Sequence, residues 1–117
     1  MGLFGRKKER RPLEEADKEL FLQVVRSLRM VFDPEIPVNV YDLGLIYKLE
    51  IDEDRKVYVQ MTLTAPNCPE AEYIPGYIYK AVRDTEGVGE VDIDLVFDPP
   101  WTRERMSTAA LLALGLI

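Results

Sequence analysis

The sequence predicts a two-layer α+β domain in which helices cover one face of a small three-stranded mixed sheet. Three segments repeat apolar residues at helical spacing, three others are β-prone, and Pro, Gly or acidic residues separate them. Their order along the chain is helix, strand, strand, helix, strand, helix. A chain of 117 residues suffices for one modest core and is short for two ordinary domains. We therefore expect a single domain.

Residues 1–12 are predicted to be a flexible basic arm, and residues 13–117 to be the domain itself. The arm holds five of the fifteen Lys and Arg residues, includes glycine and shows no periodicity. Nearly all the acidic residues follow it, so the domain is distinctly acidic.

The first helix is predicted from Leu13 to about Met30, because apolar residues recur at helical spacing over that stretch. Pro34 and Pro37 are incompatible with its continuation. Residues 33–44 are therefore expected to form an ordered connection between helix and sheet.

A β-hairpin is predicted after this connection. Residues 45–51 and 56–63 are β-prone, and the polar residues 52–55 between them are typical of a turn. One face of the second strand is apolar. That face consists of Val57, Val59, Met61 and Leu63.

The remainder of the chain predicts a helix, a strand and a short last helix. The second helix carries an apolar stripe, and it begins either at Pro69 with a kink or near Pro75 after an irregular turn. Residues 91–97 alternate acidic and apolar side chains, as expected of a strand with one buried face. Ser107 is the predicted N-cap of an apolar helix that ends at Gly115. If the strands on either side of the second helix share a sheet, they run parallel.

The absence of histidine excludes several classes of enzyme. Ser-His-Asp triads, Cys-His nucleophile pairs, HExxH zinc sites and His-based non-haem iron sites all require it. The sequence also lacks the glycine-rich phosphate loop of nucleotide hydrolases. We therefore do not expect a conventional enzyme.

Charge and cysteine content bear on location and partners. A single cysteine cannot form an internal disulfide, which fits a reducing compartment, so a cytoplasmic location is expected. An acidic domain is unsuited to nucleic acid, whose phosphates require basic surface. No run of about twenty apolar residues is present, so no membrane span is expected.

Cys68 is the candidate metal ligand. It follows a predicted strand and precedes Pro69, a residue type favoured at the first position of a helix. The free N–H groups and partial positive charge at a helix N-terminus favour a reactive thiolate over the thiol. The alternative is that Cys68 is a small buried core residue.

Four residues are candidates to support Cys68: Thr64, Asp33, Glu35 and Asp42. Thr62 and Thr64 alternate out of the apolar strand face, which would bring a hydroxyl near the sulfur; the alternative is ordinary β-propensity. The three carboxylates cluster in the connection after the first helix, where they offer oxygen ligands or a proton acceptor. The alternative for them is turn chemistry, since Asp before Pro commonly begins a turn.

Several aromatic residues are assigned on spacing alone. Trp101, after two prolines, is expected to anchor the core rather than a partner. Tyr73 and Tyr77 share one helix face and are expected to border an interface. The exposed edges of a three-stranded sheet and an apolar last helix favour self-association.

Three segments together resemble one protein family and span nearly everything after the arm: DPEIPVNVYDLGLIY, LTAPNCPEAEYIPGYIYKAV and VFDPPWTRERMSTAALLALG. They are similar to the metal-sulfur cluster biosynthetic proteins that include SufT and the PaaD component of phenylacetate degradation. The resemblance implies an α+β fold and a role in maturing iron-sulfur proteins. The family cysteine falls on Cys68, and its acidic segment on Asp33 and Glu35. PaaD-like members carry further cysteines in a C-terminal tail, which this sequence lacks, so a SufT-like protein is expected.

Three hypotheses about mechanism remain open. Iron-sulfur clusters usually have four protein ligands, so one thiolate per chain does not make a complete scaffold. In the first hypothesis, two copies of Cys68 in a homodimer hold a labile iron-sulfur cluster or iron that is not tightly bound. The cluster or iron passes from assembly proteins to client apoproteins. In the second, the protein is an adaptor that joins clients to the assembly proteins, and Cys68 never touches iron. The third, ranked lower, makes Cys68 a persulfide carrier.

Overall fold

The computed structural model describes residues 15–34, 36–64 and 70–117, and confirms the α+β class. The arm lies outside these ranges, as does Leu13. The main elements are α1 (Glu15–Leu28), α2 (Val40–Leu43), β1 (Ile46–Ile51), β2 (Lys56–Met61), α3 (Ile74–Arg83), β3 (Glu90–Leu95) and α4 (Thr108–Ala113). Two 3-10 turns, Glu70–Tyr73 and Arg103–Arg105, precede α3 and α4 respectively.

The sheet is mixed, in the order β1-β2-β3. The central strand β2 pairs antiparallel with β1 and parallel with β3, as predicted for strands on either side of a crossover helix. A β-bulge interrupts the first pairing between Ile46 and Lys48. Both β1 and β3 are therefore edge strands within the described part of the chain.

The core lies between the sheet and the helices. Val57, Val59 and Met61 are fully buried on the inner face of β2, which confirms the predicted alternation. The predicted helix stripes lie opposite them. In α1 and α3 the residues with no exposed surface are Val24, Leu28, Ile74, Ile78 and Val82.

The start of α3 decides between the two predicted alternatives. A separate 3-10 turn precedes it, and the α-helix begins at Ile74 with Pro75 in its first turn. Proline is well suited to that place, because N–H groups in the first turn have no acceptor within the helix.

A short helix, α2, lies in the connection for which the sequence predicted only ordered structure. Asn39 caps its N-terminus, accepting a hydrogen bond from the amide of Asp42 at 2.8 Å. Gly44 ends it with φ near 84°, a left-handed conformation that glycine adopts without strain. Four residues are too few for helical periodicity to be visible in the sequence.

Some boundaries differ from the prediction by one or two residues. α1 ends at Leu28, and β2 ends at Met61. Directly after β2, the amide of Thr62 donates to the carbonyl oxygen of Leu45, the residue before β1. At the other end of the chain, Ser107 caps α4 as predicted, and Gly115 follows the helix with φ near 72°.

The opposite side of the sheet, which we call the outer sheet face, is polar. It consists of Lys48, Glu50, Lys56, Tyr58, Gln60, Glu90, Asp92 and Asp94. The hydroxyl of Tyr58 donates to Asp94 Oδ2 at 2.7 Å. The pKa of Tyr58 is raised, mainly because the ring is partly desolvated and secondly because of this hydrogen bond. Nζ of Lys56 lies 3.4 Å from Oε1 of Glu90. An amphipathic sheet of this kind packs helices on one side only.

Within the described ranges, no helix has both the length and the apolar character needed to cross a membrane.

Candidate functional site

The segments that bear the predicted site residues meet at one end of the sheet. The amide of Val40 donates to Val31 at 2.8 Å, that of Leu45 to Val40 at 3.1 Å, and that of Thr62 to Leu45 at 2.9 Å, each at the carbonyl oxygen. Asp33, Asp42 and Thr64 each lie two residues beyond a member of this series. The fold thus brings the connection after α1 beside the strand end that leads toward Cys68.

Cys68 and Glu35 lie outside the described residues, so their proximity stays a prediction. Thr64 is half-buried and is the last residue described before the gap. Asp33 is buried, at 5% exposed, and its Oδ1 accepts a hydrogen bond from the amide of Ile36 at 2.9 Å. This is the Asx-type turn expected of Asp before Pro, so part of the Asp33 carboxylate shapes the connection.

Asp42 joins α2 to α4. Its Oδ2 accepts from Asn39 Nδ2 at 2.8 Å and its Oδ1 from the Ser107 hydroxyl at 3.1 Å. Arg29 lies 3.8 Å from the same Oδ1. These contacts join α2 to α4, and each oxygen atom of the Asp42 carboxylate accepts a hydrogen bond from a protein group.

Thr62 differs from the expectation that it alternates out of the apolar face. It has no exposed surface, and its Oγ1 has no hydrogen-bond partner within residues 15–34, 36–64 and 70–117. The strand pattern predicted the opposite orientation, but the strand ends before Thr62 and the alternation ends with it.

We expect the substitution Thr62→Val to raise the free energy of unfolding by about 1 kcal/mol, since an unsatisfied buried hydroxyl costs about that amount or more. Urea unfolding measures the change. Thr64→Val, at a half-buried position, is the control and is expected to change stability by less. A loss of stability in Thr62→Val would contradict this expectation.

A second feature of this end was not predicted from the sequence: a segment that crosses it, residues 96–107, which we call the strap. Its first amide, at Val96, donates to the carbonyl oxygen of Met61 at 2.8 Å. Trp101 Nε1 donates to the carbonyl oxygen of Leu43 at 2.7 Å, which confirms the core role predicted for the ring. The strap closes with the amide of Ser107, which donates to the carbonyl oxygen of Asp42 at 2.8 Å.

Tyr47 in β1 holds the middle of the strap. Its hydroxyl donates to the carbonyl oxygen of Pro99 at 2.7 Å, and the Arg105 guanidinium lies 4.4 Å from the centre of its ring. Within the strap, a hydrogen bond from the side chain of Thr102 lowers the pKa of the Glu104 carboxyl. The first and third resemblance segments are therefore parts of one packed unit. Gly44 belongs to the same unit, because a Cβ added there would meet the Arg105 backbone.

Tyr73 and Tyr77, a few residues after Cys68 in the sequence, form an exposed pair. Tyr73 and Tyr77 are 66% and 55% exposed, with ring centroids 6.5 Å apart. This confirms the predicted shared face. Gly76 lies between them, with no atom within 4 Å of where a Cβ would be. At the far end of α3, a hydrogen bond from Lys80 lowers the pKa of Asp84.

The described residues do not themselves form a metal site. Among them, no group of three or more Cys, Asp or Glu side chains is close enough to hold a metal ion.

Comparison with known proteins gives matches over most of the chain. The family model described as "Iron-sulfur cluster assembly protein" matches residues 22–93. An "Fe-S protein maturation auxiliary factor" of Porphyromonas gingivalis is 53% identical over 94 residues, covering 80% of this chain and 90% of the relative. The "Fe-S protein maturation auxiliary factor YitW" of Bacillus subtilis is 40% identical over 104 residues, covering 89% and 99%.

A solved structure agrees with these matches. The crystal structure of a "Domain of Unknown Function DUF59" from Bacillus anthracis superimposes with a TM-score of 0.77 at 34% identity, covering 86% of this chain and 95% of that one. Fold and sequence therefore point to the same group of proteins.

Proposed function

The chain belongs to the iron-sulfur cluster assembly protein family, and from that premise we propose that it helps to mature client apoproteins by passing on iron or an iron-sulfur cluster. The observation that carries the proposal is the match to maturation auxiliary factors over nearly their whole length. The cluster is cargo rather than a resident cofactor. This is a carrier function, without catalysis, and we place it in the cytoplasm.

Cys68 is the proposed transient ligand. It is the only thiol of the chain, and in the sequence it lies between Thr64, three residues after β2, and the turn that begins at Glu70. Thiolate is the usual ligand of iron in such clusters, and four ligands are usual. A homodimer would supply two thiolates, with small thiols or client cysteines completing the set. Such a site releases its cluster readily, as transfer requires.

Asp33, Glu35 and Thr64 are proposed to complete the surroundings of Cys68. Asp33 is buried and Thr64 half-buried at the end of the sheet where the Cys68 segment leaves. Asp42, whose carboxylate contacts hold α2 to α4, is proposed to support this end of the molecule from behind.

The test is anaerobic reconstitution of the purified protein with iron and sulfide, with and without a small thiol, followed by absorption and Mössbauer spectra. We expect cluster signals in the wild type and their loss in Cys68→Ala. Transfer to a cluster-requiring apoenzyme is then followed by recovery of that enzyme's activity. Asp98→Asn, an exposed substitution in the strap, is the control and should behave as wild type. A colourless wild type, or signals that survive in Cys68→Ala, would contradict the carrier role.

The tyrosine pair favours a second candidate function, that of an adaptor between clients and assembly proteins. Exposed tyrosines carry large contact area with a polar end and are enriched at protein interfaces. Their position a few residues after Cys68 suits a surface that holds a client close to the thiol.

The adaptor function predicts that Tyr73→Ala/Tyr77→Ala lowers client binding about tenfold or more, as loss of interface aromatics commonly does. Cys68→Ala should leave that binding unchanged. Tyr79→Ala removes a less exposed tyrosine on α3, which packs with Arg83, and serves as control. Calorimetric titration with one purified apoprotein client measures the affinities. Unaltered binding in the double variant would exclude this face as the docking site.

A further inference from the structure

The outer sheet face is acidic, with four carboxylates and two lysines among its residues. Along its edge, Glu90, Asp92 and Asp94 project at every second position of β3. Glu90 is 74% exposed at its side chain even though it contacts Lys56, and Asp92 is also exposed. No described helix packs on this side of the sheet. A row of carboxylates on a sheet face that no described helix covers suits a basic occupant.

The chain itself contains a segment of matching charge and length. Residues 6–11 hold five basic side chains and a single acidic one. The rest of the sequence has an excess of acidic residues, so this is the main concentration of positive charge. Six extended residues span about 20 Å, the length of the six-residue strand β3. In an extended segment Arg6, Lys8 and Arg10 share one side at the same two-residue spacing as the carboxylates.

The position of α1 brings this segment to the correct end of the sheet. A cleft of about 260 Å³ lies between the first half of α1 and the loops at that end, and it is lined by Glu19, Leu20, Gln23, Arg55 and Glu86. A Cβ added at Gly87, three residues before β3 begins, would lie 3.2 Å from Leu20 Cδ1, so this part of α1 lies close to Gly87. α1 therefore starts beside the acidic β1–β2 turn and the first residues of β3.

The connection is long enough to reach the outer face. From Glu15 back to Arg11 an extended chain spans up to about 14 Å. Because the chain enters at the Glu90 end, the basic segment would run antiparallel to β3, with Arg10 near Glu90, Lys8 near Asp92 and Arg6 near Asp94.

We propose that the basic segment 6–11 binds the outer sheet face of its own chain, with its basic side chains against the carboxylates of β3. The segment then shields the side of the sheet that the helices leave uncovered. The inference does not depend on the cluster-transfer function.

Paramagnetic relaxation in the full-length chain tests this proposal. A nitroxide is attached at Leu3→Cys in a Cys68→Ser background, and amide peak intensities are compared with the reduced label. At about 0.05 M salt we expect strong loss of intensity for Asp92 and Asp94, with recovery at about 1 M salt, where charges are screened within a few ångströms. The variant Asp92→Asn/Asp94→Asn should lose the effect.

The control variant Glu72→Gln/Glu104→Gln makes the same change in net charge away from this face and should keep the effect. The amide spectra of all variants report whether each is folded. Full intensity along β3 at low salt, or broadening that persists in Asp92→Asn/Asp94→Asn, would overturn the proposal. Broadening of an isotope-labelled chain by a separate spin-labelled chain would assign the contact to a second copy instead, and would also overturn it.

Discussion

Replacing Gly44 by alanine is expected to lower the free energy of unfolding by about 4 kcal/mol, a large part of the total stability of a domain of this size. Two effects add. Gly44 has φ near 84°, a conformation that costs a residue with a Cβ about 1–2 kcal/mol. A Cβ there would also overlap the carbonyl oxygen of Arg105 and lie 2.8 Å from its carbonyl carbon. Since the obstacle is backbone, relief requires the strap to move away from α2.

Gly76→Ala is the matched control for this prediction. Gly76 lies within α3, and an added Cβ there has no atom within 4 Å. Alanine at a helical position restricts the unfolded chain and favours the helix, so stability should rise by about 0.5–1 kcal/mol. Urea unfolding followed by circular dichroism measures both variants. Similar effects of the two substitutions would show that the strap does not pack against Gly44.

Replacing Trp101 by alanine is expected to lower the free energy of unfolding by about 3 kcal/mol. The ring packs against the core, and its Nε1–H satisfies the carbonyl oxygen of Leu43 beside α2. Removal of the side chain leaves both a cavity and an unpaired carbonyl. The same urea titration gives the value.

Trp101→Phe separates the two contributions, because it keeps most of the packing and removes the hydrogen bond. We expect it to cost about 1–2 kcal/mol. Tyr47→Phe removes a more exposed hydrogen bond to the strap and should cost less than either. A Trp101→Ala variant as stable as wild type would mean that the strap contributes little to the fold.

The strongly periodic elements were the parts of the fold that the sequence predicted best. The stripe Ile74, Ile78 and Val82 and the alternation of β2 follow from which side of an element faces the core, so they are visible within about ten residues of sequence. Ser107 and Gly115 were recognised because capping is a local property.

The parts that depend on distant contacts were not predicted. The strap has no periodicity, and its conformation is set by groups more than fifty positions away, as in the contact between Trp101 and Leu43. Asp42 was predicted as a candidate site residue because it clusters with Asp33 and Glu35 in the connection after α1, where carboxylates offer oxygen ligands or a proton acceptor. The partners that account for its position, Ser107 and Arg29, become apparent only when the chain is folded. Cys68 was predicted both from its place before Pro69 and from the family resemblance, and the reconstitution experiment tests its role.

The row of carboxylates on β3 also limits how two copies of the protein can associate. An edge strand has unpaired backbone groups on one side and can extend its sheet with a second molecule. If two β3 strands paired antiparallel with their outer faces aligned, Glu90, Asp92 and Asp94 of one copy would face the same residues of the other. Like charges directly opposite each other destabilise such a pair. At neutral pH the β3 edge therefore disfavours the repeated addition of β3 strands from further copies. The proposed homodimer must then form through another surface.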